Sequence, residues 1–146
     1  MEKRLKADHM TLGVCYYPEH WDEALWEEDL DRMAHYGIEV VRVFEFAWSI
    51  VEPRDGKYDF SLFDRFLDLA ATKGMKVIMC TPTATPPAWL SKVYPEILNA
   101  DYMGHPYGYG HRRHYVFRHR RRRLGVDDSV SAYPGSLRLQ SVCVAV

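Results

Sequence analysis

Three short apolar runs alternate with two segments of helical spacing in the first half of the chain. The runs at residues 11–17, 38–44 and 75–80 are rich in β-branched and other apolar residues, which is typical of buried strands. Residues 21–36 and 62–73 repeat their apolar positions at intervals near helical, which indicates amphipathic helices. The order strand, helix, strand, helix, strand predicts an α/β fold with parallel strands and right-handed crossovers.

Residues at the helix ends support these two helices. Gly37 and Gly74 stand where each helix is expected to end, and Ser61 is the expected N-cap of the second helix. The buried face of the first helix is expected to comprise Ala24, Leu25, Leu30, Met33 and Ala34. The buried face of the second is expected to comprise Phe63, Phe66, Leu67 and Ala70.

The chain becomes irregular after Thr81. Prolines interrupt it, and the pattern predicts one short helix at residues 88–93, which Pro95 ends. Residues 101–117 are rich in glycine, tyrosine and histidine and are expected to form a long loop. In α/β folds, loops after the carboxyl ends of parallel strands hold the functional site. No periodicity beyond residue 117 predicts a fourth strand and helix.

The composition is that of an ordinary globular protein. Apolar residues make up 47% of the chain and charged residues 27%. No apolar run approaches the roughly 18 to 20 residues that span a bilayer. Lys3, Arg4 and Lys6 are followed by no apolar stretch, so no secretory signal is expected. The three cysteines are odd in number and widely spaced, which favours reduced thiols in the cytoplasm.

The small net charge conceals two unlike segments. Residues 1–111 hold 11 basic and 18 acidic residues, whereas residues 112–146 hold 8 arginines and 2 aspartates. The basic run at residues 118–123 could neutralise phosphates, so one alternative is a non-catalytic, basic-tailed protein that binds nucleic acid nonspecifically. No base-reading fold and few aromatic stacking partners accompany the run, so no specific nucleic-acid partner is expected.

Polar and aromatic side chains gather just after each predicted strand. Carboxylates and guanidinium groups can hold sugar hydroxyls, and aromatic planes can stack on the apolar face of a sugar ring. The combination favours a sugar site, with solvated loop ends as the alternative. The residues concerned are Tyr17, Glu19, His20, Glu45, Trp48, Glu52, Thr83, Thr85, Trp89, Arg112, Arg113, His114 and Tyr115.

Several blocks of this sequence resemble the start of glycoside hydrolase family 42 β-galactosidases. They are Gly13-Val-Cys-Tyr-Tyr-Pro-Glu-His-Trp21, Val41-Arg-Val-Phe-Glu-Phe-Ala-Trp-Ser49, Thr81-Pro-Thr-Ala-Thr-Pro-Pro-Ala-Trp-Leu90, Tyr94-Pro-Glu-Ile-Leu98 and Arg112-Arg-His-Tyr115. They occur in the family's order over about residues 12–117. The resemblance implies that the predicted strands and helices are the N-terminal βαβαβ portion of a TIM (β/α)8 barrel.

The resemblance also implies an activity and its limits. Family members hydrolyse terminal β-D-galactosyl residues by a retaining mechanism with two glutamates, which follow the fourth and seventh strands. The acid belongs to an Asn-Glu pair, but the single asparagine here, Asn99, precedes Ala100. Both catalytic glutamates are therefore expected to be absent and the chain to be inactive alone. Glu19, Glu45 and Glu52 are weaker candidates, because their family counterparts are not the reacting pair.

Two arginines are the candidate substrate-binding residues. Arg112 matches the family arginine that binds galactose hydroxyls, with a solvated loop arginine as the alternative. Arg42 matches the second-strand arginine that lies near the nucleophile and keeps it ionised, with a structural ion pair as the alternative. The implied partner is a β-galactoside. No membrane partner is expected, and a homo-oligomeric parent is left open.

No cofactor and no metal are expected. Some family members bind zinc through a cysteine cluster whose first member follows the Arg-Arg-His-Tyr block. Val116 occupies that position here, and Cys15 and Cys80 belong to predicted strands.

The predicted organisation has three parts: an N-terminal extension at residues 1–11, a partial barrel at 12–117 and an arginine-rich tail at 118–146. The tail carries no recognisable sequence motif of the family and is expected to be disordered. An abrupt loss of pattern with a rise in arginine is what an out-of-frame reading produces. The leading hypothesis is therefore a truncated and frameshifted β-galactosidase.

An open sheet of three strands is expected to be marginally stable. Its inward apolar side chains would lack the opposite wall of a closed barrel, and its two edges would be unpaired. The side chains expected to be uncovered are Val14, Val41, Val43, Val77 and Met79.

Overall fold

The computed structural model describes residues 10–110 and Tyr115; Arg112 and the predicted tail lie outside the described residues. The described elements are β1 (Gly13–Cys15), a 3-10 helix (Pro18–His20), α1 (Glu23–His35), β2 (Val40–Val43), α2 (Trp48–Val51), α3 (Ser61–Thr72), β3 (Lys76–Met79), α4 (Ala88–Val93) and a 3-10 helix (Pro95–Ile97). They belong to two compact units. The first contains residues 10–44 and 60–80, and the second contains residues 45–59, 81–110 and Tyr115.

The first unit is built on a parallel sheet with the strand order β1-β2-β3, as the alternating pattern predicted. Val41 of β2 lies opposite both Val14 of β1 and Val77 of β3. β2 is therefore the central strand, and β1 and β3 are the two edges among the described residues. The strands are shorter than the apolar runs, because the ends of each run turn away from the ladder of paired residues.

Aromatic packing joins the two helices of the first unit to its sheet. α3 has the buried face that was predicted, with three side chains buried and the fourth half-buried: Phe63, Phe66, Ala70 and Leu67. The ring of Phe66 stacks on Tyr16 with centroids 5.5 Å apart and meets Trp26 edge-on at 5.4 Å. This cluster anchors α3 beside the segment that follows β1.

The buried face of α1 differs from the prediction. Trp26 and Leu30 are its buried side chains, four residues apart on one face of the helix. The indole Nε1 of Trp26 donates a 3.2 Å hydrogen bond to the carbonyl of Pro18, which turns this face inward. The prediction was right for Leu30, and Met33 is half-buried. It was wrong for three exposed residues: Ala24, Leu25 and Ala34.

The face of the sheet that was expected to be uncovered is covered at the central strand. Val41 and Val43 are completely buried, and Met79 is nearly so. The face that was expected to lose its covering is therefore a packed one. Because side chains alternate along a strand, Arg42 belongs to the opposite face, together with the exposed Cys15. The expectation of uncovered side chains was wrong for Val41, Val43 and Met79, whereas Val14 and Val77 are half-buried.

The helix ends follow the sequence signals with one exception. The Asp22 carboxylate accepts a 3.0 Å hydrogen bond from the amide of Ala24 and caps α1. Gly37 and Gly74 have positive φ values of 78° and 69° after α1 and α3. Ser61 is not the N-cap of α3 but its first residue; Phe60 holds the N-cap position and makes no side-chain capping hydrogen bond.

The second unit has a small core of its own. Trp48 of α2, Leu90 of α4, Ile97 and Tyr115 are buried together. α4 has the bounds that were predicted, whereas α2 was not predicted, because its single turn carries no measurable periodicity. An antiparallel bridge between Leu98 and Tyr115 closes the unit.

Within residues 10–110, no helix combines the length and apolar character that crossing a bilayer requires.

Candidate functional site

Arg42 occupies the central position on the open face of the sheet. Its Nε donates a 2.9 Å hydrogen bond to the sulfur of Cys80, and its Nη1 donates a 3.2 Å hydrogen bond to the sulfur of Cys15. Cys15 lies opposite Arg42 in the register of β1, and Cys80 follows the end of β3. A half-buried guanidinium is thus held between the two edge strands.

The backbone just after Arg42 is strained. Phe44 has a φ of 80°, the left-handed value that non-glycine residues rarely adopt. Its ring meets Phe63 edge-on at 4.7 Å and lies nearly parallel to Phe60 at 6.3 Å. Packing of the ring therefore holds a turn that the backbone alone would avoid. Strain of this kind, at the carboxyl end of a strand, is concentrated at functional sites.

Glu19 is a desolvated carboxylate in the first unit. It lies on the 3-10 helix after β1, and both carboxylate oxygens are buried without a hydrogen-bond partner from another described residue. Burial raises the pKa of Glu19 above its ordinary value, and its own main-chain amide and the nearby His20 offset this only in part. Glu19 is thus chemically distinct from the other candidate glutamates.

Glu52 is a structural residue of the second unit. Its Oε2 accepts a 2.6 Å hydrogen bond from the indole Nε1 of Trp48, and its Oε1 accepts a 3.0 Å hydrogen bond from the amide of Gly56. The main-chain carbonyl of Glu52 accepts a further 2.8 Å hydrogen bond from Nε1 of Trp89. Two tryptophans of the candidate set, Trp48 and Trp89, therefore use their indole N–H groups to hold this glutamate.

Asp101 organises the exposed loop of the second unit. Its Oδ1 accepts hydrogen bonds from the amides of Met103 and His105, at 2.8 and 2.9 Å. These amides, that of His105 first, lower the pKa of the Asp101 carboxyl below its usual value. The loop carries the exposed side chains of Tyr102 and Tyr107, but its ordering contacts are local.

The predicted site residues fall into three groups. Tyr17, Glu19, His20 and Arg42 belong to the first unit, and Glu45, Trp48, Glu52, Thr83, Thr85, Trp89 and Tyr115 belong to the second. Within the second unit, the Thr85 hydroxyl donates to the carbonyl of Phe46 at 3.4 Å, and Tyr115 is buried. The remaining candidates lie outside the described residues: Arg112, Arg113 and His114.

Sequence reasoning missed the two cysteines beside Arg42. Cys15 and Cys80 were considered as thiols and as metal ligands, not as acceptors for a guanidinium. The register would have revealed Cys15, because it pairs directly with Arg42 once β1 and β2 are aligned as parallel neighbours. Cys80 lies two residues beyond Ile78, the partner of Arg42 on β3, and so has the same parity along the chain.

Sequence comparison links the chain to known enzymes. The profile of glycoside hydrolase family 42, described as beta-galactosidase, matches residues 15–132. The chain is 51% identical over 106 residues to beta-galactosidase BgaA of Thermus sp., and 47% identical over 108 residues to beta-galactosidase BgaH of Haloferax lucentense. These matches cover 73% and 74% of this chain but 16% of each relative. The profile match extends past residue 117, so the boundary predicted there stays a prediction.

Comparison with solved structures links the chain to the same enzymes. The beta-galactosidase of the psychrophilic Marinomonas ef1 matches with a TM-score of 0.85 and 42% identity, over 92% of this chain and 21% of that enzyme. The beta-galactosidase of the haloarchaeon Halorubrum lacusprofundi matches with a TM-score of 0.84 and 39% identity, over the same shares. This chain therefore spans about a fifth of the length of these enzymes. Its β1, β2 and β3 are the first strands of their TIM barrel, and the chain belongs to glycoside hydrolase family 42.

Proposed function

We propose that this chain supplies part of the galactose-binding rim of a family 42 β-galactosidase barrel, and that the 146-residue polypeptide alone does not hydrolyse galactosides. In this proposal residues 12–117 form the barrel portion, and residues 118–146 take no part in sugar binding. The substrate class is terminal β-D-galactosides, as the names of the relatives suggest.

The geometry of Arg42 carries the proposal. Its guanidinium lies half-buried on the central strand of the sheet, and its Nε and Nη1 donate hydrogen bonds to the sulfurs of Cys80 and Cys15. The family resemblance matches this arginine to the one that lies near the nucleophile, and a guanidinium there can donate to a sugar hydroxyl or to an ionised carboxylate.

Hydrolysis requires catalytic carboxyl groups in addition to a sugar-binding rim. A retaining glycosidase needs two carboxyl groups about 5 to 5.5 Å apart, one as nucleophile and one as acid and then base. Glu52 accepts hydrogen bonds from Trp48 and Gly56 inside a core, which suits a structural role. The raised pKa of Glu19 suits a general acid. We propose no residue as the second carboxyl group that a retaining pair would need.

Titration with isopropyl β-D-thiogalactoside, which is not hydrolysed, tests the binding role. We expect saturable binding by the purified chain, detected by nuclear magnetic resonance, and at least about tenfold weaker binding in Arg42→Met, since a charged hydrogen bond is lost. Arg32→Met is the matched control, because Arg32 is an exposed arginine of α1 that pairs with Glu28. Equal weakening in both variants, or unchanged binding in Arg42→Met, contradicts the proposed role of Arg42.

Arg112 is tested in the same titration. The family resemblance predicts that Arg112→Met weakens binding, whereas Arg113→Met, which alters the next residue, leaves it within about twofold. The reverse order would show that the alignment of the Arg-Arg-His-Tyr block is displaced by one residue.

A further inference from the structure

Residues 99–107 form a short hairpin that the Asp101 carboxylate holds in place. The amide of Tyr107 donates a 2.7 Å hydrogen bond to the carbonyl of Asn99, and the amide of Asp101 donates a 2.9 Å hydrogen bond to the carbonyl of His105. Oδ1 of Asp101 accepts hydrogen bonds from two amides of the turn, and its Oδ2 lies 3.2 Å from Nδ1 of His105. Because these bonds order the backbone before any ligand arrives, binding to the hairpin carries a smaller entropy cost.

The hairpin and the residues just after it expose aromatic rings rather than charges. Tyr102 is 97% exposed, and Tyr109 is 54% exposed. Apart from His105, the one ionisable acid or base in residues 99–110 besides the tyrosines is Asp101, whose carboxylate is engaged by the turn. Uncharged rings with hydroxyl groups suit a neutral ligand that has both apolar and polar faces. The surface therefore favours a carbohydrate over a nucleic acid, whose phosphates require cations.

The length of chain between Tyr109 and Arg112 limits how far apart these two residues can lie. Arg112 is three residues beyond Tyr109, and an extended chain advances at most about 3.6 Å per residue, so their Cα atoms lie within about 11 Å of each other. Arg112 is the residue that the family resemblance assigns to the galactosyl hydroxyls. A tyrosine ring this near to it is close enough to contact the next sugar residue of the same ligand.

We propose that Tyr109 stacks on the sugar residue next to the galactosyl group, and that the ligands of this chain are galactosides whose aglycone is itself a sugar. This inference rests on the proposed function, because it takes the galactosyl group to be held at Arg112. The ring of Tyr109 supplies an apolar plane for the second sugar, and its hydroxyl can donate a hydrogen bond to a sugar oxygen. Asp101 is then a positioning residue, which holds the hairpin without contacting the sugar.

The test compares two probes in nuclear magnetic resonance titrations of the full 146-residue chain. Isopropyl β-D-thiogalactoside contains one sugar residue, and β-1,4-galactobiose contains two. We expect galactobiose to bind about fivefold more tightly, and Tyr109→Ala to remove this preference while thiogalactoside binding stays within about twofold of the wild type. Tyr109→Phe keeps the ring and is expected to keep most of the preference.

Tyr102→Ala is the matched control, because Tyr102 is an even more exposed tyrosine of the same hairpin and lies ten residues before Arg112 rather than three. We expect it to keep the preference for galactobiose. Asp101→Ala should reduce the preference by loosening the hairpin, and Asp101→Asn, which keeps an amide oxygen as acceptor, should restore most of it. Circular dichroism confirms that each compared variant is folded.

The possible results separate this inference from the proposed function. Equal affinity of the wild-type chain for the two probes, or equal weakening of both probes in Tyr109→Ala, overturns the inference and leaves the proposed function standing. Loss of the preference in Tyr102→Ala also overturns it, since hairpin folding would then explain the effect. A chain that binds neither probe contradicts the proposed function and the inference with it. Light scattering on the same samples detects dimers, and a dimer that Tyr109→Ala dissociates would assign the ring to an interface between copies instead.

Discussion

The Glu52 carboxylate accepts a 2.6 Å hydrogen bond from the indole of Trp48, one helical turn earlier, and both side chains are almost completely buried. The same carboxylate also accepts a 3.0 Å hydrogen bond from the amide of Gly56, so it links α2 to the turn that follows. Among the candidate glutamates of the second unit, this one thus has a clear structural explanation. A carboxylate engaged by two donors in a core is poorly placed to attack a sugar.

Removal of the Glu52 carboxylate should therefore destabilise the second unit. Glu52→Ala leaves the Trp48 indole and the Gly56 amide without their acceptor, and we expect a loss of about 2 to 4 kcal/mol in the free energy of unfolding. Glu52→Gln keeps one carbonyl acceptor and should lose less. Urea denaturation followed by tryptophan fluorescence measures both, and an unchanged midpoint for Glu52→Ala would refute this structural role.

Tyr16 gives the first unit a predicted sensitivity to alkaline pH. Its hydroxyl donates a 2.7 Å hydrogen bond to Asp29, and burial, followed by that bond and the aspartate charge, raises the pKa of Tyr16 well above its usual range. Above about pH 10 the unfolded chain releases this proton while the folded chain keeps it. The free energy of unfolding should then fall as pH rises, by up to about 1 kcal/mol per pH unit.

Urea midpoints at pH 7 and pH 10.5 test this linkage. Tyr16→Phe should lose about 1 kcal/mol at pH 7, because a hydrogen bond is removed, and should show a weaker decline above pH 10. Tyr36→Phe is the control, because Tyr36 is 75% exposed and should leave the alkaline decline unaltered. Identical pH profiles for the wild type and Tyr16→Phe would show that the pKa of Tyr16 does not differ between the two states.

Glu19 should destabilise the fold at neutral pH. Burial raises its pKa in the folded state, so the unfolded chain ionises first as pH rises above about 4, and stability is lost as pH passes through the folded pKa. Glu19→Gln removes this cost and should raise the free energy of unfolding at pH 7 by up to about 1 kcal/mol, with no gain below pH 4. Denaturation of Glu19→Gln at both pH values measures the effect, with Glu28→Gln, an exposed change, as the control. A gain that persists at pH 4 would exclude ionisation as its cause.

Gly13 is needed where β1 meets β2. A Cβ atom there would lie 3.1 Å from the Val40 carbonyl oxygen and 3.2 Å from the Val40 Cβ. Since the oxygen belongs to the backbone of the central strand, it cannot easily move, and we expect Gly13→Ala to cost about 1 to 3 kcal/mol. Gly108→Ala is the matched control, because an added Cβ there meets open space. Equal stability of the two variants, by urea denaturation, would mean that β1 can shift without cost.

The element order was predictable, but the faces of the sheet were not. Alternating strand and helix patterns depend on local spacing, and these led to β1, β2, β3 and α4 correctly. Valines stand on both faces of β2, so the apolar residues alone do not reveal which face the helices cover. The polar residue Arg42 marks the other face, and it could have decided the question, because a guanidinium is rarely placed inside a dry helix–sheet layer.

The candidate site was predictable only as a set of residue types. Arg42 was identified through the family resemblance, but its sulfur neighbours come from register, which depends on contacts between distant segments. Glu19 and Glu52 look equivalent in the sequence, since both follow strands. Their environments separate them: the Glu19 carboxylate is desolvated without a hydrogen-bond partner from another described residue, whereas the Glu52 carboxylate accepts two hydrogen bonds.

Hydrolysis of p-nitrophenyl β-D-galactoside by the 146-residue chain, purified from a host without β-galactosidase, tests the central claim most directly. The account predicts no release of p-nitrophenol above the buffer rate, from a chain that nevertheless binds the thiogalactoside through Arg42. Enzymatic turnover that disappears in Glu19→Gln would contradict it, because the chain would then supply catalytic carboxyl groups of its own.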